Sequence, residues 1–311
     1  MNPIVTVLLC TKNRSEWLVR CLRSLQELDF DRFDVLVVDN GSSQFEVPAL
    51  TTRFPIRYFR QPVAGISYAR NSVLPYCSGE FIALIDDDAV AHPNWLKAAL
   101  KSFSHPEVGC VTGRILPPEI ESEWQQRYFR EKWLPSGEDA KLFTMATFDP
   151  FETPAGAGTN IVARKSILQQ CGFPEFFGAG TAVGAEDDHY LFFQILKLGW
   201  KLYYDPECIV YHPYPKSEEQ YYYLVRRSFS SRGAYILWFL ISEPGYRFRT
   251  LRHILSKVAK PKSRRLEMGL TPRTGGFVTG GIALARSWYR IRKQHRIALS
   301  SITEIKIPEV S

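Results

Sequence analysis

The chain is short of several things, and each shortage excludes a class. None of its six cysteines stands in a Cys-x-x-Cys pair, so neither a zinc cluster nor a dithiol redox motif is written into it. Cys10, Cys21, Cys77, Cys110, Cys171 and Cys208 mostly sit in apolar stretches, as buried free thiols do, and suggest no disulfide framework. No apolar run reaches the ~20 residues that a membrane-spanning helix needs. Internal repeats and low-complexity tracts are missing, which argues against solenoids and general disorder. The opening MNPIVTVLLCTKNR lacks the basic start and cleavage site of a signal peptide, so a cytoplasmic protein is expected.

What is present is a large apolar fraction and an uneven charge. Apolar residues make up 45% of the 311 and aromatic residues 14%, enough for one large domain with an appendage or two modest ones. The net charge of +7 hides an asymmetry. Residues 1–215 carry 20 Lys and Arg against 26 Asp and Glu, whereas residues 216–311 carry 19 against 6. An acidic part suits a cation-dependent site, and a basic part suits an anionic surface.

Residues 4–10, IVTVLLC, read as a buried strand: short, apolar and β-branched. SEWLVRCLRSLQEL follows with helical spacing of its apolar residues and Ser15 as the expected N-cap. FDVLVVD, IRYFR and EFIALIDDD read as strands, and SYARNSVLPYC and PNWLKAALKSF as helices. This alternation, with nearly continuous apolar strands, predicts an α/β fold: a mostly parallel, Rossmann-like sheet covered by helices on both faces. Beyond Gly113 the pattern loosens. A helix and then a loop are expected in EIESEWQQRYFREKWLPSGEDAK, a helix in AEDDHYLFFQILKLGW, and two short strands in KLYYDPECIVYHPYP. A domain over residues 1–215 and a helical extension over 216–311 follow.

Ligands of such sheets bind beyond the carboxyl ends of the strands, where Asp39 and Asp86–Asp88 fall. Asp86 and Asp88, spaced D-x-D, can send two carboxylates into one cleft and hold Mg2+ or Mn2+, or can form a solvated acidic turn before Pro93. Asp39 in VVDNGS can accept from a ribose or base edge, or make a turn. Arg70 and Asn71 in GISYARN suit a phosphate or an aspartate, or the open surface. Gly158 and Asn160 in GAGTN allow close backbone approach to a ligand, or form a tight loop. Glu186, Asp187 and Asp188 open a helix, whose N-terminus lowers a carboxylate pKa while neighbouring acids raise it; such a group can act as general base, although acids are common there anyway. His212 is either a metal ligand or structural.

In their order along the chain, TKNR, VVDNGS, GISYARN, IALIDDDA, AGTN, EDD and VYH resemble the motifs of family 2 glycosyltransferases, inverting enzymes with the GT-A fold, over about residues 3–215. The resemblance implies a nucleotide-diphosphate sugar donor bound over about 1–115 and a glycan or lipid-linked acceptor bound over about 116–215. Thr11, Asn13, Arg14, Glu16 and Asp39 would line the nucleoside pocket. Arg70, Asn71, Asp87, Gly158 and Asn160 would add donor contacts. Asp86 would touch the ribose or the metal shell. Asp88 and His212 would hold the divalent cation, with Mn2+ favoured over Mg2+ because an imidazole enters the shell. Asp187 would be the base, and Glu186 would position it or bind acceptor. Asp188 departs from the pattern as an extra acid and competes with Asp187 for that role.

In the basic part, SEEQYYYLVRRSFSSRGAYILWFLIS and GGFVTGGIALARSWYRIRKQHR read as helices joined through KVAKPKSRR. Short apolar helices with Trp, Tyr and clustered Arg and Lys suit a membrane interface, so peripheral docking on the inner face of the cell membrane is expected, against a plain solvated appendage. A nucleotidyltransferase would share the sheet and the metal, but CTKNRSEW is not a Gly-rich phosphate loop. A non-enzymatic membrane- or nucleic-acid-binding protein is the other alternative. No nucleic-acid-binding motif is present, and the acidic part would repel a polyanion.

Overall fold

A computed structural model describes residues 2–152, 155–259, 273–298 and 302–305. Four strands, β1 (Val5–Thr11), β2 (Phe33–Asp39), β3 (Ile56–Arg60) and β4 (Phe81–Leu84), pair in parallel in the order β3-β2-β1-β4. Every residue of β2 and β4 is buried, because a parallel sheet covered on both faces leaves its strands no solvent side. The helices α1 (Ser15–Gln26), α2 (Ile66–Val73) and α3 (Trp95–Ser102) supply that cover. Leu18, Cys21, Leu22 and Leu25 of α1 are its buried face. The expected N-cap, Ser15, is instead the first helical residue; Arg14 holds the cap position without a side-chain cap bond, after Asn13 turns the chain at φ 54°.

The second half of the sheet is mixed, so the parallel expectation holds for the first half. There β6 (Val108–Leu116), β8 (Ile161–Arg164) and β9 (Lys201–Tyr211) continue from β4, with β8 antiparallel to both β4 and β6 and β9 parallel to β6. The two short strands expected after Trp200 are one. Opposite Gly113 and Arg114 the register jumps from Asp205 to Ile209, and this bulge absorbs Pro206, which has no N–H to give the ladder. Gly113 is required there: a Cβ would stand 1.9 Å from the Cys208 carbonyl oxygen. Short strands β5 (Val90–Ala91) and β7 (Lys141–Phe143) pair antiparallel with β9. Helices α4 (Glu123–Arg130), α5 (Lys165–Cys171) and α6 (Asp187–Lys197) complete this half.

The basic part is built into the same body. α7 (Glu218–Ser242) buries Ala234, Tyr235, Ile236 and Phe239 in one core with Phe177, Tyr190 and Phe193. Ile236 and Phe239 each contribute roughly 1.5–3 kcal/mol through burial. Two further helices follow, α8 (Arg247–Ala259) and α9 (Arg273–Ala298). At Gly280, α9 lies so close to α7 that a Cβ would stand 2.4 Å from the Ala234 nitrogen. A last strand, β10 (Thr303–Ile305), pairs antiparallel with β3 at the far sheet edge. No helix among the described residues is long and apolar enough to cross a membrane. Residues 260–265 of the KVAKPKSRR stretch lie outside the described residues.

Candidate active site

β4 ends at Leu84, so the three aspartates do not extend the strand. They turn instead, with the Ala89 amide donating to the Asp86 carbonyl at 3.1 Å. The turn gives each carboxylate a different partner. Asp87 folds back to β1 and α1, accepting from Thr11 Oγ1 at 2.7 Å and Arg14 Nη1 at 3.1 Å. Asp88 accepts from Arg14 Nη1 at 2.8 Å and faces His212 Nε2 at 3.3 Å. Asp86 lies 3.8 Å from Arg70 Nη2. Burial pushes the Asp86 and Asp87 carboxyls above the usual range, outweighing Arg70 for the first and Thr11 and Arg14 for the second. Burial acts the same way on Asp88, but His212 and Arg14 together hold it below the usual range.

One ligand atom from each of Asp86, Asp88 and His212 lies within 4.8 Å of the other two. His212 Nδ1 is 2.9 Å from the Pro213 carbonyl. A carbonyl only accepts, so Nδ1 carries the proton and Nε2 is presented to Asp88. Asp88 Oδ1 is buried and makes no well-angled hydrogen bond, its nearest partner being that Nε2. Two carboxylates, one with a buried oxygen left short of a partner, and an imidazole nitrogen are a donor set that fits a divalent cation.

Across the cleft, Glu186 sits at the N-cap of α6 in the left-handed region, φ 74°. It is buried, with Arg232 Nη1 of α7 at 3.1 Å and His189 Nδ1 at 3.5 Å. Asp187 Oδ2 accepts from Arg70 Nη1 at 3.0 Å. Burial pushes Asp187 up to about 6 against the pull of Arg70. Asp188 goes the other way. Burial opposes its ionisation, but His189 and the Gly158 amide hold it down to about 2. Both of its oxygens are engaged: Oδ2 by the Gly158 amide at 2.8 Å, and Oδ1 by the His189 amide at 2.8 Å and His189 Nδ1 at 3.1 Å. Arg70, only 4% exposed, thus joins the two acidic clusters and stacks over Phe173.

These groups line a cleft of about 640 Å³, together with Thr11, Arg14, Gly158 and Glu186. Five residues expected at the site do not line it. Asp39 is fully buried, accepting from the Ser42 amide at 3.0 Å with Arg60 at 3.6 Å. Asn13 bonds Ser42 and Ser43, and Glu16 is exposed on α1. Asn71 clamps the Phe173 backbone from both sides. Asn160 is fully buried and ties Trp95 to the carbonyls of Arg114 and Cys208. Sequence reasoning missed other lining residues. Tyr128 and Trp133 stack at 6.0 Å with planes 17° apart, and their spacing in a polar segment is the signal that could have found them. Leu224, Arg227 and Ser228 come from α7, in the part read as an extension, and nothing local marks them.

The sequence profile described as glycosyl transferase family 2 matches residues 6–172. The chain is 26% identical over 232 residues to the succinoglycan biosynthesis protein ExoM of Rhizobium meliloti (strain 1021), covering 71% of each. It is 25% identical over 224 residues to the beta-monoglucosyldiacylglycerol synthase of Trichormus variabilis, covering 67% of this chain and 44% of that one. Among solved structures it resembles the mannosyltransferase PcManGT from Pyrobaculum calidifontis in complex with GDP-Man and Mn2+. The TM-score is 0.58 at 18% identity, over 97% of this chain and 82% of that one. A GT-A fold, a profile spanning more than half the chain and glycosyltransferase relatives agree: the chain is a glycosyltransferase and belongs to glycosyl transferase family 2.

Proposed function

We propose that the enzyme moves a sugar from a nucleoside-diphosphate sugar to an acceptor hydroxyl by in-line displacement, with inversion. The observation that carries this is the position of Arg70, which touches Asp86 of one acidic cluster and Asp187 of the other within a single cleft. The first cluster suits the departing diphosphate. Asp88, His212 and Asp86 would hold a divalent cation, Mn2+ ahead of Mg2+, which when bound supplies neutralisation of the negative charge on the leaving group. The second cluster suits the nucleophile. Asp187 takes the proton as the acceptor oxygen bonds to the anomeric carbon and the bond to diphosphate breaks, its electrons leaving with the nucleotide. Asp187 is favoured over Asp188 because both Asp188 oxygens are already engaged. Glu186 is held by Arg232 to orient this edge. Tyr128 and Trp133 offer an aromatic wall for a sugar ring.

A GDP-Man complex of the structural neighbour and the names of the relatives support a nucleotide-sugar donor and a glycan or lipid-linked acceptor. The test is calorimetric titration of nucleoside diphosphates with and without Mn2+. Wild type should bind more tightly with Mn2+, and Asp88→Ala should lose that gain. Equal affinity in both proteins under both conditions would sink the metal reading.

A further inference from the structure

We propose that α8 and α9 form a docking surface for an anionic lipid bilayer that runs up to the rim of the cleft. What the bilayer presents there, a lipid-linked acceptor, rests on the function proposed above; the surface rests on its own geometry. A surface helix normally turns its apolar stripe toward the core. α8 does so only in part: Ile254 packs against the core, but a second apolar stripe faces outward. Thr250 is buried on its inner side, while Phe248, Leu251 and Leu255, at helical spacing, are 80%, 50% and 68% exposed. Arg247 and Arg252 are exposed beside them, and Arg247–Ala259 contains no acidic residue.

α9 repeats the arrangement. Gly280, Leu284 and Ser287 are its packed side. Directly opposite on the helix stand Val278, Ile282 and Tyr289, of which Val278 is 61% and Tyr289 67% exposed. Trp288 and Arg286 flank this stripe and are exposed. The two helices touch each other. The residue after Tyr289 fixes where the surface ends. Arg290 donates to the carbonyls of Gly180 at 2.8 Å and Ala64 at 3.1 Å, and Gly180 lines the cleft.

Charge selects the occupant. Apolar stripes edged by arginines, with Trp and Tyr among them, match the interface of an anionic bilayer. A second copy of the chain would set the same positive edges against each other.

The test is co-sedimentation of the full chain with phosphatidylglycerol-containing vesicles and with pure phosphatidylcholine vesicles, at low salt. Wild type should pellet with the anionic vesicles and less with the neutral ones. The exposed double variants Phe248→Glu/Leu255→Glu and Ile282→Glu/Tyr289→Glu should lose roughly tenfold or more of that partitioning while keeping the wild-type melting temperature. Three results would overturn the proposal: wild type staying in the supernatant, variants pelleting like wild type, or a wild-type dimer in sedimentation velocity that the variants dissolve. Pelleting needs neither donor nor acceptor, so failure here leaves the transfer reading standing, and loss of transfer leaves the docking reading standing.

Discussion

Replacing Asp187 by Asn should sharply slow transfer and yet stabilise the fold at neutral pH, and both effects have one cause. Burial raises this carboxyl from 3.8 to about 6. A group with a higher pKa folded than unfolded binds its proton more tightly in the folded state. Its favourable contribution is therefore complete below 3.8 and is lost as the pH rises through about 6. The gap is about 2.2 pH units, so the ionised carboxylate costs about 3 kcal/mol once the pH is well above 6. Integrating the two titrations places roughly half of that cost at pH 5 and nearly all of it at pH 8. Asn has nearly the same shape and no charge at any pH. Asp187→Asn should therefore gain on the order of 1 kcal/mol on wild type between pH 5 and pH 8.

Denaturant midpoints of both proteins at pH 5, 6.5 and 8 measure this gain directly. Transfer should fall by about 10²–10⁴-fold in the variant, since Asn takes no proton. Wild-type kcat/KM should lose its activity on an acid limb near pH 6, as the base becomes protonated. The opposing force is the Arg70 guanidinium at 3.0 Å. Breaking a buried ion pair by removing one partner ordinarily costs about 3–5 kcal/mol. If that pair outweighed burial, Asp187 would ionise below 3.8, and the variant would be less stable than wild type, increasingly so as the carboxylate forms. A less stable variant at pH 8, or a gap that ignores pH, would refute the reasoning.

Two further substitutions probe the same edge of the cleft. Gly178→Ala should destabilise by about 1–3 kcal/mol, because Gly178 has φ 88° and a Cβ would meet Ile66 Cγ2 at 2.7 Å and Asp187 Cγ at 3.0 Å; turnover should drop while calorimetry still detects nucleotide. Arg232→Met should lower kcat more than it raises KM, since Glu186 loses its 3.1 Å partner, with Arg232→Lys recovering part of the loss; unchanged kcat in the Met variant would remove Arg232 from the positioning role.

The first, parallel half of the sheet was legible because β2 and β4 are buried along their whole length. Residues 35–38 of β2 and Phe81–Leu84 read as continuous apolar runs, and such runs arise where helices cover both faces. The second half of the sheet was less legible for reasons that are also physical. β6 follows the same rule but contains Gly109 and Gly113, which break a propensity pattern and are needed for close approach to Trp200 and Cys208. β9 carries Pro206 at a bulge, and a proline there reads as a break between strands. β10 is three residues long and exists through its pairing with β3, more than 240 positions away. At the site, motif order brought forward Asp86, Asp88, Asp187 and His212, which do converge on one cleft. It also brought forward Asn71 and Asn160, polar groups the structure spends on holding loops and strands together. An asparagine in a motif looks the same whether its amide serves a ligand or a neighbouring backbone. Arg227, which lines the cleft, and Arg232, which pairs with Glu186, were invisible because α7 comes to this side only through tertiary packing.

Charge around the aspartates distinguishes two arginines that look equivalent in sequence. Asp86, Asp87, Asp88 and Asp187 face two guanidiniums, Arg14 and Arg70, with His212 beside Asp88. Four fully ionised carboxylates would leave an excess of two negative charges, or one if His212 is protonated. On the proposed reading a divalent cation offsets this excess, and a donor diphosphate then restores negative charge beside it. Cation and donor each make the other's binding easier, by the same factor in both directions. Arg70 is enclosed and held from both sides, so it is fixed framework. Arg14 is different, because its side chain is 52% exposed and it occupies Asp88 Oδ2 at 2.8 Å, on one of the carboxylates the cation would need. It is thus the cation in the cluster placed to yield Asp88 and turn toward the diphosphate. Asp87 would then keep Thr11 Oγ1 as its partner. That makes Asp87, the middle aspartate of the three, the one that fixes the turn, and leaves Asp86 and Asp88 on either side of it for the ligand.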